Sequence, residues 1–293
     1  MASDLFMDIQ FNGSTALVQA ILDQLKIQID QHKSGGTQVF SDWLSKTGRT
    51  AIKMYPNSVA VRKHVTTLVY YVKRIAKSES ELKDVKSKTL DRIDELKEHI
   101  NESSKKISDA GARMILNQNK ILTIGYSTSI RNILLNANRV KRKFTVYCTE
   151  SRPLNEGIIL AEELAAAGIQ CVLIPDAGIM SIMPEINLVI TGADRICEDI
   201  YINKIGTHSM ALGASAYKVP FYIAAETDKV LKETDFAVRY YPENPKEVYN
   251  GKVKQLKAEN QYFESIPLRY VSKIICEEGI FDTQEFKKWY LED

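Results

Sequence analysis

Asp194, Asn203, Lys204 and Lys229 are the residues of this chain whose types and spacing could do chemistry. Asp194 follows Leu188-Val189-Ile190-Thr191-Gly192-Ala193, a short apolar run turned by two small residues. Such a run reads as a buried strand, and a carboxylate at its carboxyl end stands where ligands bind in open α/β sheets. Asn203-Lys204 leads through Ile205-Gly206-Thr207 into Met210, Ala211, Ala214 and Tyr217, which recur at helical spacing. A helix start offers free N–H groups and the positive end of its dipole. Carboxylate, amide, ammonium and helix start could together grip a polyhydroxy or phosphorylated ligand. A turn Asp, a solvated Lys and a plain helix cap would give the same spelling.

The elements that must hold these residues are legible in the apolar pattern. β-Branched apolar runs recur at 121–124, 144–147, 171–174, 188–190 and 221–224, with helical patterns between several of them. Ala161, Leu164, Ala165 and Ala167 mark the clearest helix. Strand and helix alternating at this spacing predict an α/β unit, a Rossmann-like parallel sheet with helices on both faces. The first strand is not followed by G-x-G-x-x-G, so a dinucleotide site is not expected. Strand ends in a parallel sheet converge on one edge, which gathers Ser127, Glu150, Arg152, Asp176, Asp194 and Lys229. Asn203 and Lys204 join from the loop. Lysine and arginine suit a phosphate, while carboxylates and the amide suit hydroxyls.

Upstream the pattern is helical. Gly13-Ser14-Thr15 opens a stretch with Val18, Ile21, Leu25 and Ile29 on one face, and Ser34-Gly35-Gly36 breaks it. A helix with Phe40, Trp43 and Leu44 ends near Thr47-Gly48-Arg49-Thr50, and Pro56-Asn57-Ser58 starts the next. From Glu79 a long charged helix carries Leu82, Val85, Ile93, Leu96 and Ile100. Its charges read as a solvated face. Two domains are expected: an N-terminal helical domain over 1–115 and the α/β domain over 116–293.

At 293 residues, 44% hydrophobic and 26% charged, the chain has the make-up of an ordinary globular protein. A formal charge of +2 argues against direct nucleic-acid binding by broad electrostatics. Cys148, Cys171, Cys197 and Cys276 show no C-x-x-C spacing, and His32, His64, His99 and His208 are scattered, so neither a metal nor another cofactor is expected. No apolar run approaches a membrane span and the amino terminus lacks a signal pattern, so a cytoplasmic location is expected.

Gly192-Ala193-Asp194-Arg195-Ile196, followed by Asn203-Lys204-Ile205-Gly206-Thr207, resembles the signature of one superfamily. It comprises the α, β and δ regulatory subunits of translation initiation factor 2B, methylthioribose-1-phosphate isomerase and archaeal ribose-1,5-bisphosphate isomerase. Thr149-Glu150-Ser151-Arg152-Pro153, Asp176-Ala177 and Ala225-Glu226-Thr227-Asp228-Lys229 resemble further family motifs, in the right order. In the amino-terminal region, Thr47-Gly48-Arg49-Thr50-Ala51 with Pro56-Asn57, and Asn12-Gly13-Ser14, are similar to segments of the archaeal branch. That similarity implies ligand-binding roles for Gly13 and Arg49, although Arg49 is displaced by one position and the Arg expected before Gly13 is missing.

The resemblance implies two readings. The isomerases pair a Cys after the first sheet strand with the Asp of Gly-Ala-Asp; Asp194 matches the Asp, but Gly125 stands where the thiol is expected. Tyr126-Ser127 resembles the Tyr-Ser of the regulatory subunits, and the turn Glu198-Asp199-Ile200 is one residue shorter than in the isomerases. The expectation is a regulatory protein that binds a phosphorylated sugar or a nucleotide in an isomerase-derived pocket. An aldose–ketose isomerase acting on a phosphorylated ribose is the alternative. A homodimer or higher homo-oligomer and a translation-factor partner are implied as well.

Overall fold

The computed structural model describes residues 13–33, 35–79, 81–231 and 242–292. Asn12 and Ser34, named above in a motif and a break, lie outside them. The chain divides into two compact units, Met1–Glu102 and Ser103–Asp293. The division falls inside a helix, α4 (Leu82–Met114), rather than at residue 115 where helix gives way to strand. The reason is packing. Ile107, Ala112 and Ile115 belong to a core built on the sheet, and Ser108 Oγ donates to the Asn132 carbonyl at 2.9 Å.

In the first unit, α1 (Ser14–Gln31), α2 (Thr37–Met54), α3 (Val59–Ser78) and the start of α4 close over one core. Leu17, Val18, Ile21, Leu25 and Ile29 bury the apolar face of α1. Each such side chain contributes roughly 1.5–3 kcal/mol on burial. The Thr47–Thr50 stretch does not end α2, which runs on to Met54. Gly48 lies inside the helix because α3 passes close: a Cβ there would sit 2.8 Å from Val65 Cγ1. Ser58 caps α3, accepting from the Val61 N–H at 3.3 Å.

The second unit carries a seven-stranded sheet. Its strands are β1 (Lys120–Thr123), β2 (Thr145–Thr149), β3 (Gln170–Ile174), β4 (Leu188–Thr191), β7 (Phe221–Ala224), β9 (Lys273–Cys276) and β10 (Gly279–Phe281). Their spatial order is β10-β9-β7-β4-β1-β2-β3, all parallel except the β10 edge. Period-two alternation divides two cores between the sheet's faces. Leu122, Val189, Phe221, Ile223 and Ile274 pack with α7 (Ile179–Ile182), α8 (Thr207–Tyr217) and α9 (Thr283–Glu292). Ile121, Leu188, Ile190, Ala224 and Ile275 pack with the end of α4, α5 (Thr128–Arg139) and α6 (Glu156–Ala166). The expected architecture, helices first and then a largely parallel sheet covered on both faces, is the one found.

A second, antiparallel sheet departs from expectation. β5 (Arg195–Ile196), β6 (Ile200–Lys204) and β8 (Phe263–Pro267) form it in the order β5-β6-β8. The stretch between Asp194 and Asn203 is therefore a tight hairpin, closed by the Cys197 N–H on the Ile200 carbonyl at 2.8 Å. Among the described residues no helix is long and apolar enough to cross a membrane.

Candidate functional site

The parallel strands place their carboxyl ends on one edge, and backbone clamps fix the loops that leave it. Gly125, past β1, has φ +73 and donates its N–H to Ser151 Oγ at 2.8 Å. Ser151 has φ 63, and its hydroxyl also meets Thr149 Oγ1 at 3.0 Å. The two carboxylate oxygens of Asp176, just beyond β3, accept the N–H groups of Ser151 and Arg152, each at 2.8 Å. Asp176 thus holds the β2–α6 turn in shape. A Cβ on Gly157 would fall 1.8 Å from the Thr149 carbonyl oxygen, so only glycine lets α6 start against the strand end. Exposed Arg152 sends Nη2 to the Glu247 carbonyl at 3.1 Å. Ser127 Oγ accepts the Ile130 N–H and caps α5; a Cβ on Gly192 would lie 2.5 Å from that oxygen.

Charges concentrate inside this frame. Lys204, 5% exposed at the end of β6, puts Nζ 2.7 Å from Glu156 Oε2 at the start of α6. The contact is an ion pair without hydrogen-bond angles. The same ammonium stands 5.3 Å from the Tyr262 ring centre, within cation–π range. Lys229, 4% exposed in the turn after β7, puts Nζ 3.1 Å from Glu226 Oε2, and Ser129 Oγ donates to Glu226 Oε1 at 3.2 Å. Glu277 accepts the Thr227 N–H at 3.0 Å and its hydroxyl at 2.5 Å, which fixes that turn. Asn203 Nδ2 donates to Thr207 Oγ1 at 3.0 Å, and that hydroxyl donates to the Lys204 carbonyl.

Asp194 lies among these groups. The residue is half-buried, yet protein encloses its carboxyl, and desolvation pushes its pKa above the ordinary value. Lys229, Lys204 and Arg195 pull it back down, and Glu156 pushes it further up. A carboxyl whose pKa burial raises, beside two buried lysines, is of the type that exchanges a proton with a hydroxyl.

The start of α8 is not free to receive a ligand, contrary to the sequence expectation. Glu264 of β8 reaches it, and its Oε1 accepts the N–H groups of Gly206 at 2.7 Å and His208 at 2.9 Å. A carboxylate of the chain itself satisfies the helix dipole there.

The thiols and the Tyr-Ser pair take structural places. Cys148, on β2, is buried, and desolvation pushes its thiol up to about 12. Cys197 is also buried. Tyr126 donates its hydroxyl to Glu163 of α6 at 2.9 Å, and Arg131 pairs with the same carboxylate. A Cβ on Gly125 would meet Lys204 Cβ at 3.4 Å and Cγ at 3.6 Å, which is ordinary contact. The Gly125 position therefore faces the lysine of the site. Among the described residues no group of three or more His, Cys, Asp or Glu side chains is placed to hold a metal ion.

Ser127, Glu150, Arg152, Asp176, Asp194, Asn203, Lys204 and Lys229 all lie on the carboxyl edge of the sheet or on the small sheet beside it. Glu150 is tied by its N–H to the Ile174 carbonyl. Gly13 and Arg49 belong to the helical unit: Gly13, with φ +89, is the residue before α1, and Arg49 is exposed on α2. The counter-ions Glu156 and Glu226 and the cap Glu264 were missed in sequence. Glu226 stood inside the Ala225–Lys229 motif, and Glu156 opened a helical pattern. Glu264 gave no signal, since it lies 58 residues from its partner Gly206.

A helical unit joined to a largely parallel sheet, with a carboxylate and two lysines at the sheet's carboxyl edge, defines an α/β protein with a charged cluster where its strand-end loops meet. The Initiation factor 2 subunit family matches residues 10–283, and the chain belongs to that family. It is similar to the ribose 1,5-bisphosphate isomerase of Methanocaldococcus jannaschii, 32% identical over 86% of this chain and 80% of the relative. Similarity to the translation initiation factor eIF2B subunit alpha of Dictyostelium discoideum is also 32%, over 80% of this chain and 73% of that protein. In structure it resembles the translation initiation factor eIF-2B of Pyrococcus horikoshii OT3, with a TM-score of 0.79 and 24% identity over 96% of this chain and 95% of that one.

Proposed function

We propose that this chain is a regulatory, initiation-factor-2B-like member of its family that binds a phosphorylated sugar or a nucleotide at the carboxyl edge of its sheet and turns over little or none of it. Lys204, Lys229 and Arg152 meet the phosphate, while Asp194, Asn203 and Glu150 meet hydroxyls. The observation that carries this reading is Gly125. It presents no side chain toward Lys204, where the family resemblance leads one to expect a thiol. Cys148 offers no replacement base, because burial holds its thiol protonated. Asp194 is left as a lone acid–base group, and a missing partner costs roughly 10²–10⁴ in rate.

The test is ribose 1,5-bisphosphate and methylthioribose 1-phosphate added to the protein in a thermal-shift titration beside a coupled isomerase assay. Binding raises the melting temperature and no product accumulates; robust turnover would overturn the proposal. Family membership also supports a symmetric homo-oligomer in the cytosol, working through a translation-factor partner. Light scattering at micromolar protein is then expected to give at least twice 33.2 kDa.

The isomerase reading is favoured by one observation, the enclosed Asp194 carboxyl, whose pKa burial raises above the ordinary value. Under that reading the protein turns over a phosphorylated ribose, and loss of turnover in Cys148→Ala or Cys197→Ala identifies a relocated thiol.

A further inference from the structure

Lys204 is enclosed at 5% exposure, and its ammonium is met by Glu156 at 2.7 Å from one side and by the Tyr262 ring from another. Tyr262 is itself fixed, its hydroxyl donating to Glu247 Oε2 at 2.5 Å. The two members of the ion pair are not equally held. The Lys204 side chain is 6% exposed and that of Glu156 27%. Lys204 also rises from β6, which pairs on both sides with β5 and β8. Glu156 sits in the first turn of α6, with a route to water for its side chain. The Glu156 oxygen facing the lysine is buried and makes no hydrogen bond that would anchor it.

We propose that Glu156 is the selectivity residue of this site: its carboxylate is the resident counter-ion of Lys204, and a ligand phosphate gains that lysine only by displacing it. The inference rests on the reading of the site as a phosphorylated-sugar pocket and names what that pocket selects. A carboxylate beside the phosphate seat repels a dianion at close range, so the phosphate must supply more than the ion pair it breaks. The site therefore discriminates weakly between a phosphorylated sugar and its neutral parent. Ligands whose hydroxyls bridge Glu156 and Lys204 bind without separating them.

The test uses full-length protein, Glu156→Gln and Glu156→Asp, each titrated calorimetrically with ribose 5-phosphate and with ribose. Glu156→Gln keeps the side chain's shape and removes its charge, so ribose 5-phosphate is expected to bind about tenfold tighter, with ribose unchanged or weaker. Tenfold corresponds to about 1.4 kcal/mol. Glu156→Asp keeps the charge but shortens the reach by one methylene. It is expected to shift the ratio of the two affinities in the same direction by a smaller factor, and it decides the matter if Glu156→Gln fails to fold. The ratio separates selectivity from structural damage, which weakens both sugars together. Binding of ribose 5-phosphate by all three proteins with an unchanged ratio overturns the role of Glu156 alone. Its binding by none of them overturns the phosphorylated-sugar reading as well.

Discussion

The turn after β7 and the wall between β6 and α6 each hold a buried lysine against a glutamate, but they are built differently. Lys229 and Glu226 lie three residues apart in one turn, both side chains nearly enclosed, at 5% and 8% exposure. Ser129 and Glu277 brace that turn from α5 and from the residue after β9. Lys204 and Glu156 come from distant parts of the chain, and Glu156 keeps a path to water. The first pair is braced within one turn, whereas in the second Glu156 has side-chain surface open to water. Burial of a cation therefore does not by itself mark a phosphate site; the freedom of its counter-ion matters as much.

This difference predicts unequal costs when each lysine is removed. Lys229→Met breaks an enclosed ion pair and is expected to lower stability by about 3–5 kcal/mol. Lys204→Met leaves Glu156 able to turn outward, so about 1–3 kcal/mol is expected. Urea unfolding followed by circular dichroism measures both, and equal losses would erase the distinction.

In ligand binding the weight falls on the openable pair. Lys204→Ala is expected to weaken binding of ribose 5-phosphate by on the order of 1–3 kcal/mol, the range for one charge-assisted hydrogen bond. The thermal shift produced by ribose should fall by less. A variant that still responds fully to the phosphate would move the anion seat away from Lys204.

Asp194 stands between the two pairs, and its titration reports on both. Its folded pKa is raised above the unfolded value. The native state therefore holds the extra proton, and stability falls as pH rises from the ordinary carboxylate range through the folded pKa. Asp194→Asn removes that dependence. Wild type and variant are expected to be closest in stability at acid pH, with the variant gaining as pH rises toward neutral. A difference that narrowed with rising pH would show that Lys204 and Lys229, not burial, govern this carboxyl.

Much of the α/β frame was legible because each buried strand is a short run with few alternatives. Residues 221–224 are β7 as read, and 171–174 became β3 with one added residue. The small sheet was not legible, since β5 has two residues and β8 lies far along the chain from β6. Local pattern cannot foresee such long-range pairing. The same limit applied within the site. Asp194, Lys204 and Lys229 could be found from motif and strand position, but their glutamate partners depend on which loops meet in space. Asp176 was assigned to ligand on its strand-end position, and the structure gives both its oxygens to backbone N–H groups. Helix α2 runs past the expected end near Thr47–Thr50 to Met54, because the smallness of Gly48 serves the contact with Val65 rather than a stop.

Gly125→Cys gives the finest probe of the openable pair. The position has φ +73, where a non-glycine residue costs on the order of 1 kcal/mol. The new Cβ meets only Lys204 carbons at ordinary contact distance, so backbone strain should be the whole loss, readable as a small shift in the urea midpoint. A thiol beside a free ammonium becomes a thiolate more readily. Here Glu156 already engages that ammonium and the position is buried, so the new thiol should react with iodoacetamide more slowly than an exposed cysteine. Adding Glu156→Gln should release Lys204 to the thiol and raise that rate several-fold at pH 7, with trace isomerase turnover appearing only in the double variant. A single variant that is already fast would mean that Glu156 does not hold Lys204 in solution, and the contrast between the two lysines would fail.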